Sequence, residues 1–67
     1  MNKYLFLFYD EALFVTWDCF DPNEPVSDAM AVQQAFNMLI SDDSCDRVMI
    51  YSSGTVYEKN LICTITK

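Results

Sequence analysis

The sequence predicts an α+β domain: one antiparallel sheet of four to five strands with a single helix across one face, in the order β-β-α-β-β(-β). Three observations predict it. Two apolar, β-prone runs at 4–9 and 13–20 are separated only by Asp10–Glu11–Ala12, a break of hairpin length. The apolar spacing then changes from a period of two to a period of 3.6 across the Asp21-Pro-Asn-Glu-Pro25 segment. Beyond residue 47, strand-like runs resume with connections too short for parallel crossovers.

Each element has its own signal. Residues 4–9, YLFLFY, form an unbroken apolar run, as expected of a central strand covered on both faces. Residues 13–20, LFVTWDCF, alternate. Leu13, Val15, Trp17 and Cys19 are expected on one face, with Phe14, Thr16, Asp18 and Phe20 on the other. Pro22 and Pro25 lack backbone donors and push the residues before them out of the helical region, which makes 21–25 a loop.

Ser27 then offers a helix N-cap, with Asp28 in the first turn, where a carboxylate suits the helix dipole. Through Ile40 the spacing is helical. Ala29, Val32, Phe36, Leu39 and Ile40, widened by Ala35, make the stripe expected to face the core, with Met30 and Met38 at its borders. Val48–Tyr51 reads as a strand and Ser52-Ser53-Gly54 as a turn at the only glycine. The rest reads either as a strand pair, Thr55–Glu58 and Leu61–Thr66 around Lys59–Asn60, or as one bulged strand over 55–66.

Size and composition bound the possibilities. Sixty-seven residues predict a single domain over 1–67, and so short a chain buries only about 60% of its unfolded surface. A hydrophobic content of 52% with ten aromatic residues predicts order rather than an acidic disordered segment. It also predicts more aromatic surface than one small core hides, so that some of it is exposed or covered by a partner. The apolar run after Lys3 stops at Asp10, too short for a signal-peptide core, and no run approaches a membrane span. A cytoplasmic location is expected. Cys19, Cys45 and Cys63 are odd in number and include no C-x-x-C pair, which fits a reducing compartment. Cys19 and Cys63 read as small buried hydrophobes. Cys45 lies among acids expected to raise its pKa.

Charge is the strongest functional pointer. From Tyr4 to Cys45 the chain carries eight carboxylates and no basic side chain, and Asp46 adds another just before Arg47. The net charge of −6 is therefore concentrated in the middle, because Lys3, Arg47, Lys59 and Lys67 all lie outside that stretch. Such a field repels nucleic acid and anionic membranes and attracts basic protein surfaces. Direct nucleic-acid binding is not expected, since no basic stripe exists to neutralise phosphates. Asp42–Asp43 stand at the helix C-terminus, where the dipole disfavours negative charge.

The sequence offers little to catalysis. There is no histidine, no G-x-S-x-G and no glycine-rich phosphate loop. Asp18 with Asp21, or Asp42 with Asp46, are carboxylate pairs, but acid–base work needs a cleft that raises one pKa. Asp42, Asp43, Ser44 and Asp46 supply oxygen donors suited to Ca²⁺ or Mg²⁺, without the EF-hand spacing. No enzyme activity, cofactor or specific metal site is expected.

In its size, acidity and single-domain form, the chain resembles small phage-encoded inhibitors of bacterial enzymes: DNA mimics, anti-restriction proteins and anti-CRISPR proteins. The resemblance is one of composition over the whole chain and assigns no residue. It implies an inhibitor that blocks a basic, nucleic-acid-binding surface of a partner protein. On the charge pattern, Asp18, Asp21, Glu24, Asp28, Asp42, Asp43 and Asp46 are the expected partner-binding residues. They would form two patches at opposite ends of the helix. The alternative is a homo-oligomeric structural or regulatory protein whose uncovered sheet face is its own dimer interface.

Overall fold

The computed structural model describes residues 3–67. Four strands, β1 (Tyr4–Asp10), β2 (Leu13–Phe20), β3 (Arg47–Ser52) and β4 (Leu61–Thr66), form one antiparallel sheet in the order β2-β1-β3-β4. The helix α1 (Asp28–Ser41) enters between β2 and β3 and packs against β3, β1 and β4. This is the predicted small α+β fold.

The hairpin forms where the sequence places it, with Glu11 and Ala12 as its turn. Glu11 is left-handed (φ 57°), a region that disfavours side chains bearing a Cβ. Its N–H is held by Asp46 Oδ1 at 3.0 Å. One register shift matters: between Phe8 and Tyr9 the pairing skips Val15, so Thr16 faces Phe8 and Phe14 faces Tyr9. The bulge reverses the expected alternation at this end. Phe14 joins the face of Trp17 and Cys19, where its ring meets Tyr9 edge-on at 5.7 Å.

Ser27 caps the helix as expected, its Oγ accepting the Met30 N–H at 3.3 Å. The buried stripe, however, is Ala31, Ala35 and Leu39, and Phe36 and Ile40 are 38% and 53% exposed. Ala29 and Met30 are exposed too. The helix is thus rotated from the expected setting. The reason is volume: Tyr4, Phe6, Phe8, Val48 and Ile50 fill the layer from the sheet side, so close approach requires small helix residues.

Two further expectations are corrected. Residues 55–57 form no strand; a short 3₁₀ turn at Glu58–Asn60 follows, and β4 starts at Leu61. The connection is closed on itself, Asn60 Nδ2 donating to Thr55 Oγ1 and Ser52 Oγ donating to the Asn60 carbonyl. The Asn60 N–H also donates to the Tyr57 carbonyl at 2.8 Å, so backbone groups that a fifth strand would offer to a ladder are used inside the connection. The cysteines also differ: Cys45 is buried in the core, Cys63 is half-buried, and Cys19 is exposed. Burial pushes the Cys63 thiol above its ordinary pKa.

Candidate functional site

Pairing and pleat decide which side chains the helix leaves uncovered. Tyr4, Phe6 and Phe8 point under α1, so Leu5, Leu7 and Tyr9 lie on the opposite face of β1. Their cross-strand partners share that face: Trp17 and Met49 flank Leu7, and Cys19 and Tyr51 flank Leu5. No described helix or strand crosses this side, although Tyr51 at its β3 border is buried, at 7% exposure. The run at 4–9, expected to be covered on both faces, is covered on one. An open depression of about 420 Å³ lies there, lined by Leu5, Leu7, Trp17, Cys19 and Gly54. It is mostly apolar, and Trp17 at its edge is 59% exposed.

β2 is more open than any other strand. Seven of its eight residues are exposed, and it forms one edge of the sheet. Leu13, Phe14 and Val15 are 74%, 52% and 43% exposed. Proteins blunt such edges with lysine, proline or inward charge. In β2 only Asp18 carries charge.

The seven carboxylates expected to bind a partner fall into two groups, one at each end of the sheet, with Asp18 between them. Asp21 and Glu24 are exposed in the loop after β2, and Asp28 follows in the first helical turn. Asp42, Asp43 and Asp46 lie at the other end of α1. Three have internal duties. Asp28 Oδ1 accepts the Tyr4 hydroxyl at 2.9 Å. Asp46 Oδ1 holds the hairpin turn. Asp42 accepts both the hydroxyl and the N–H of Ser44, at 2.6 and 2.9 Å. Those two bonds hold the Asp42 carboxyl below the usual carboxylate range against the opposing effect of burial, with lesser help from Cys45 and Lys67. The acid that seemed misplaced beside the helix C-terminus is therefore held by local donors. Among the described residues, Asp18, Asp21, Glu24 and Asp43 make no side-chain hydrogen bond and are exposed.

Asp10 and Glu11, expected as part of the hairpin break, are not among the acids expected to bind a partner. The Asp46 N–H donates to the Tyr9 carbonyl, which brings the hairpin turn beside the acids after the helix. The signal was the turn itself, but its neighbour is set by the β1–β3 pairing, which no local pattern encodes. The alternation places Trp17 and Cys19 on one face of β2 but does not join Leu5, Leu7, Met49 and Tyr51 to them, since only pairing partners show which residues share a face.

Burial lifts the Tyr4 phenol above its ordinary 10, and the hydrogen bond to Asp28 and the charge of that carboxylate add to the rise. Burial likewise raises Tyr51, with Tyr9 and Glu58 contributing. A raised folded-state pKa confers stability that is complete below the unfolded value and is lost as pH rises through the folded value. The melting temperature is thus expected to fall as pH climbs above about 10. In Tyr4→Phe that fall should be shallower; an identical slope would remove Tyr4 as a source.

Among the described residues, no group of three or more His, Cys, Asp or Glu side chains is arranged to hold a metal ion. No described helix is long and apolar enough to cross a membrane. Comparison with protein-family models, curated proteins and solved structures gave no match to this chain.

Proposed function

We propose that this chain is a small acidic protein-binding module that acts as an inhibitor by seating its uncovered sheet face on a basic surface of a partner protein. One observation carries the reading: an apolar face built on Leu5, Leu7 and Trp17 lies between two acidic ends. The apolar centre supplies an anchor, and the carboxylates supply steering and register. A surface evolved for nucleic acid fits best, because arginine takes carboxylate and phosphate with the same bidentate geometry. The helix between the two ends is 14 residues long, about 21 Å, so a partner touching both must present an extended basic groove. Binding there would exclude nucleic acid, in the manner of phage-encoded DNA mimics and anti-CRISPR proteins. No catalytic step is required.

The test reverses charges that have no internal duty. Asp43→Lys and the pair Asp21→Lys/Glu24→Lys should each slow association with the partner captured from host lysate and flatten its salt dependence, with the fold unchanged. Equal rates for these variants and the parent chain at low salt would defeat the reading. Asp42 is unsuitable for the test, since its loss would also release Ser44. The same apolar face favours a second reading, a homodimer stacked face to face. A dimer that persists on dilution to nanomolar concentration would select it.

A further inference from the structure

β4 is the second free edge of the sheet, and no described element lies beyond it. Its residues, LICTIT, include no charge and no proline to blunt that edge. The Lys67 N–H donates to the Asp46 carbonyl at 2.8 Å, so Cys63, Ile65 and Lys67 turn their backbone groups toward β3. The N–H and C=O of Thr64 and Thr66 therefore point outward, and both residues are exposed. The flanking charge is mixed at each end. Exposed Glu58 adjoins Lys59 before the strand, and Lys67 lies against Asp42 after it, its Nζ donating to that carbonyl at 2.7 Å.

The helix overhangs the same edge. Its N-terminus is tied to β1 through Asp28 and Tyr4, and its C-terminus to the end of β4 through Asp42 and Lys67. β2 and β3 run parallel and are joined through α1, and such crossovers are right-handed. That hand turns the helix flank carrying Val32, Phe36 and Ile40 toward β4. Val32 packs against the core, as do Ile62 and Ile65 of β4, but Phe36 and Ile40 are largely open to solvent. Two large apolar side chains thus project over the edge with no described element to cover them.

We infer that two copies of this chain pair through their β4 edges, antiparallel, about a two-fold axis at Thr64. There the outward N–H and C=O of Thr64 exchange hydrogen bonds with those of the other copy, and Cys63 stands opposite Ile65 on the helix face. The axis is perpendicular to the sheet, so both helices lie on one side of it. With strands about 4.8 Å apart and α1 chiefly over β3, the two helix axes are about 14 Å apart. Direct helix contact needs about 8–10 Å, so large side chains must fill the gap, and Phe36 and Ile40 of the two copies supply them. The helix accordingly keeps its bulk on that flank while alanines line its buried stripe.

Charge favours this edge over the other. Two β2 edges paired antiparallel would set Asp10–Glu11 of each copy against Asp21–Glu24 of the other. Two β4 edges instead bring Glu58 of each copy beside Lys67 of the other, an attraction made twice. The open face stays free, as do Asp18, Asp21 and Glu24 on the far side of the sheet. The pairing therefore goes beyond the inhibitor reading, and a dimer would present two open faces on one side of a continuous sheet.

Thr64→Pro removes an outward N–H that the β3 ladder does not use, and proline is tolerated on such edges. Sedimentation of the parent chain should show a monomer–dimer equilibrium, and Thr64→Pro should be monomeric at the same concentrations. Glu58→Lys and Lys67→Glu should each lose about tenfold in association constant, because two attractive pairs become repulsive. Their equimolar mixture, and the double variant Glu58→Lys/Lys67→Glu, should recover it. These charge variants keep the test decisive if Thr64→Pro fails to fold. A parent chain that stays monomeric at millimolar concentration, or a dimer indifferent to all of these changes, would overturn the inference. So would a dimer abolished by Trp17→Ala, which would place the contact on the open face instead. Thr64→Pro leaves Trp17 and every carboxylate in place, so its binding to the captured partner reports on the inhibitor reading separately.

Discussion

Phe6→Ala should destabilise the protein by about 3–5 kcal/mol, and Phe36→Ala by only about 1–2 kcal/mol. Phe6 is fully buried between the sheet and α1, and its ring stacks on Phe20 at 6.0 Å. Removing it leaves a cavity that a close-packed layer closes only in part. Phe36 is 38% exposed and lies outside the core cluster, so its truncation opens a space to solvent rather than leaving a closed cavity. Total stabilities of 5–15 kcal/mol are usual for domains, so the first change should leave a large unfolded fraction and the second a folded protein. Urea midpoints of the two variants would read the difference. If Phe36→Ala were the more damaging, the helix would sit in the rotation suggested by its larger side chains rather than on Ala31 and Ala35.

Trp17→Ala should leave the fold nearly as stable as the parent chain and cost at least 2 kcal/mol of partner affinity, roughly thirtyfold. The small effect on folding follows from exposure, since 59% of Trp17 is in solvent and β2 is an edge strand. The large effect on binding follows from position. Trp17 lines the depression with Leu5 and Leu7, and tryptophan in a desolvated pocket is the commonest binding anchor. Titration calorimetry with the captured partner would measure the loss. Unchanged affinity would move the contact off the open face and onto the charged ends alone.

Much of the fold could be read locally. The hairpin, the Ser27 cap and the strand at 48–51 each rest on a few adjacent residues, and each is where the sequence put it. What escaped depends on volume or on distant pairing. Periodicity alone favours Phe36 over Ala35, but the phenyl groups of β1 had already taken the space. The bulge at Val15 is invisible to alternation, because one skipped residue changes which side chains share a face without changing composition. At the site, helix length sufficed to place the two acidic groups at opposite ends. It did not show that Asp28, Asp42 and Asp46 are tied to Tyr4, Ser44 and Glu11, and so are poor choices for a purely electrostatic contact.

The strand order also dictates a sequence of events in time. β1 gains its first neighbour from the next few residues of chain but its second only from β3, on the far side of loop and helix. A two-stranded hairpin is marginal alone in water, so YLFLFY lacks a lasting partner until residues 47–52 have been made. Closing that long gap costs entropy before any contact rewards it, which makes the β1–β3 encounter the natural rate-limiting event. Until then, on the ribosome or after dilution from denaturant, the stickiest segment of the chain is its least protected. The eight carboxylates from Asp10 to Asp43 that follow it keep such immature chains apart by repulsion.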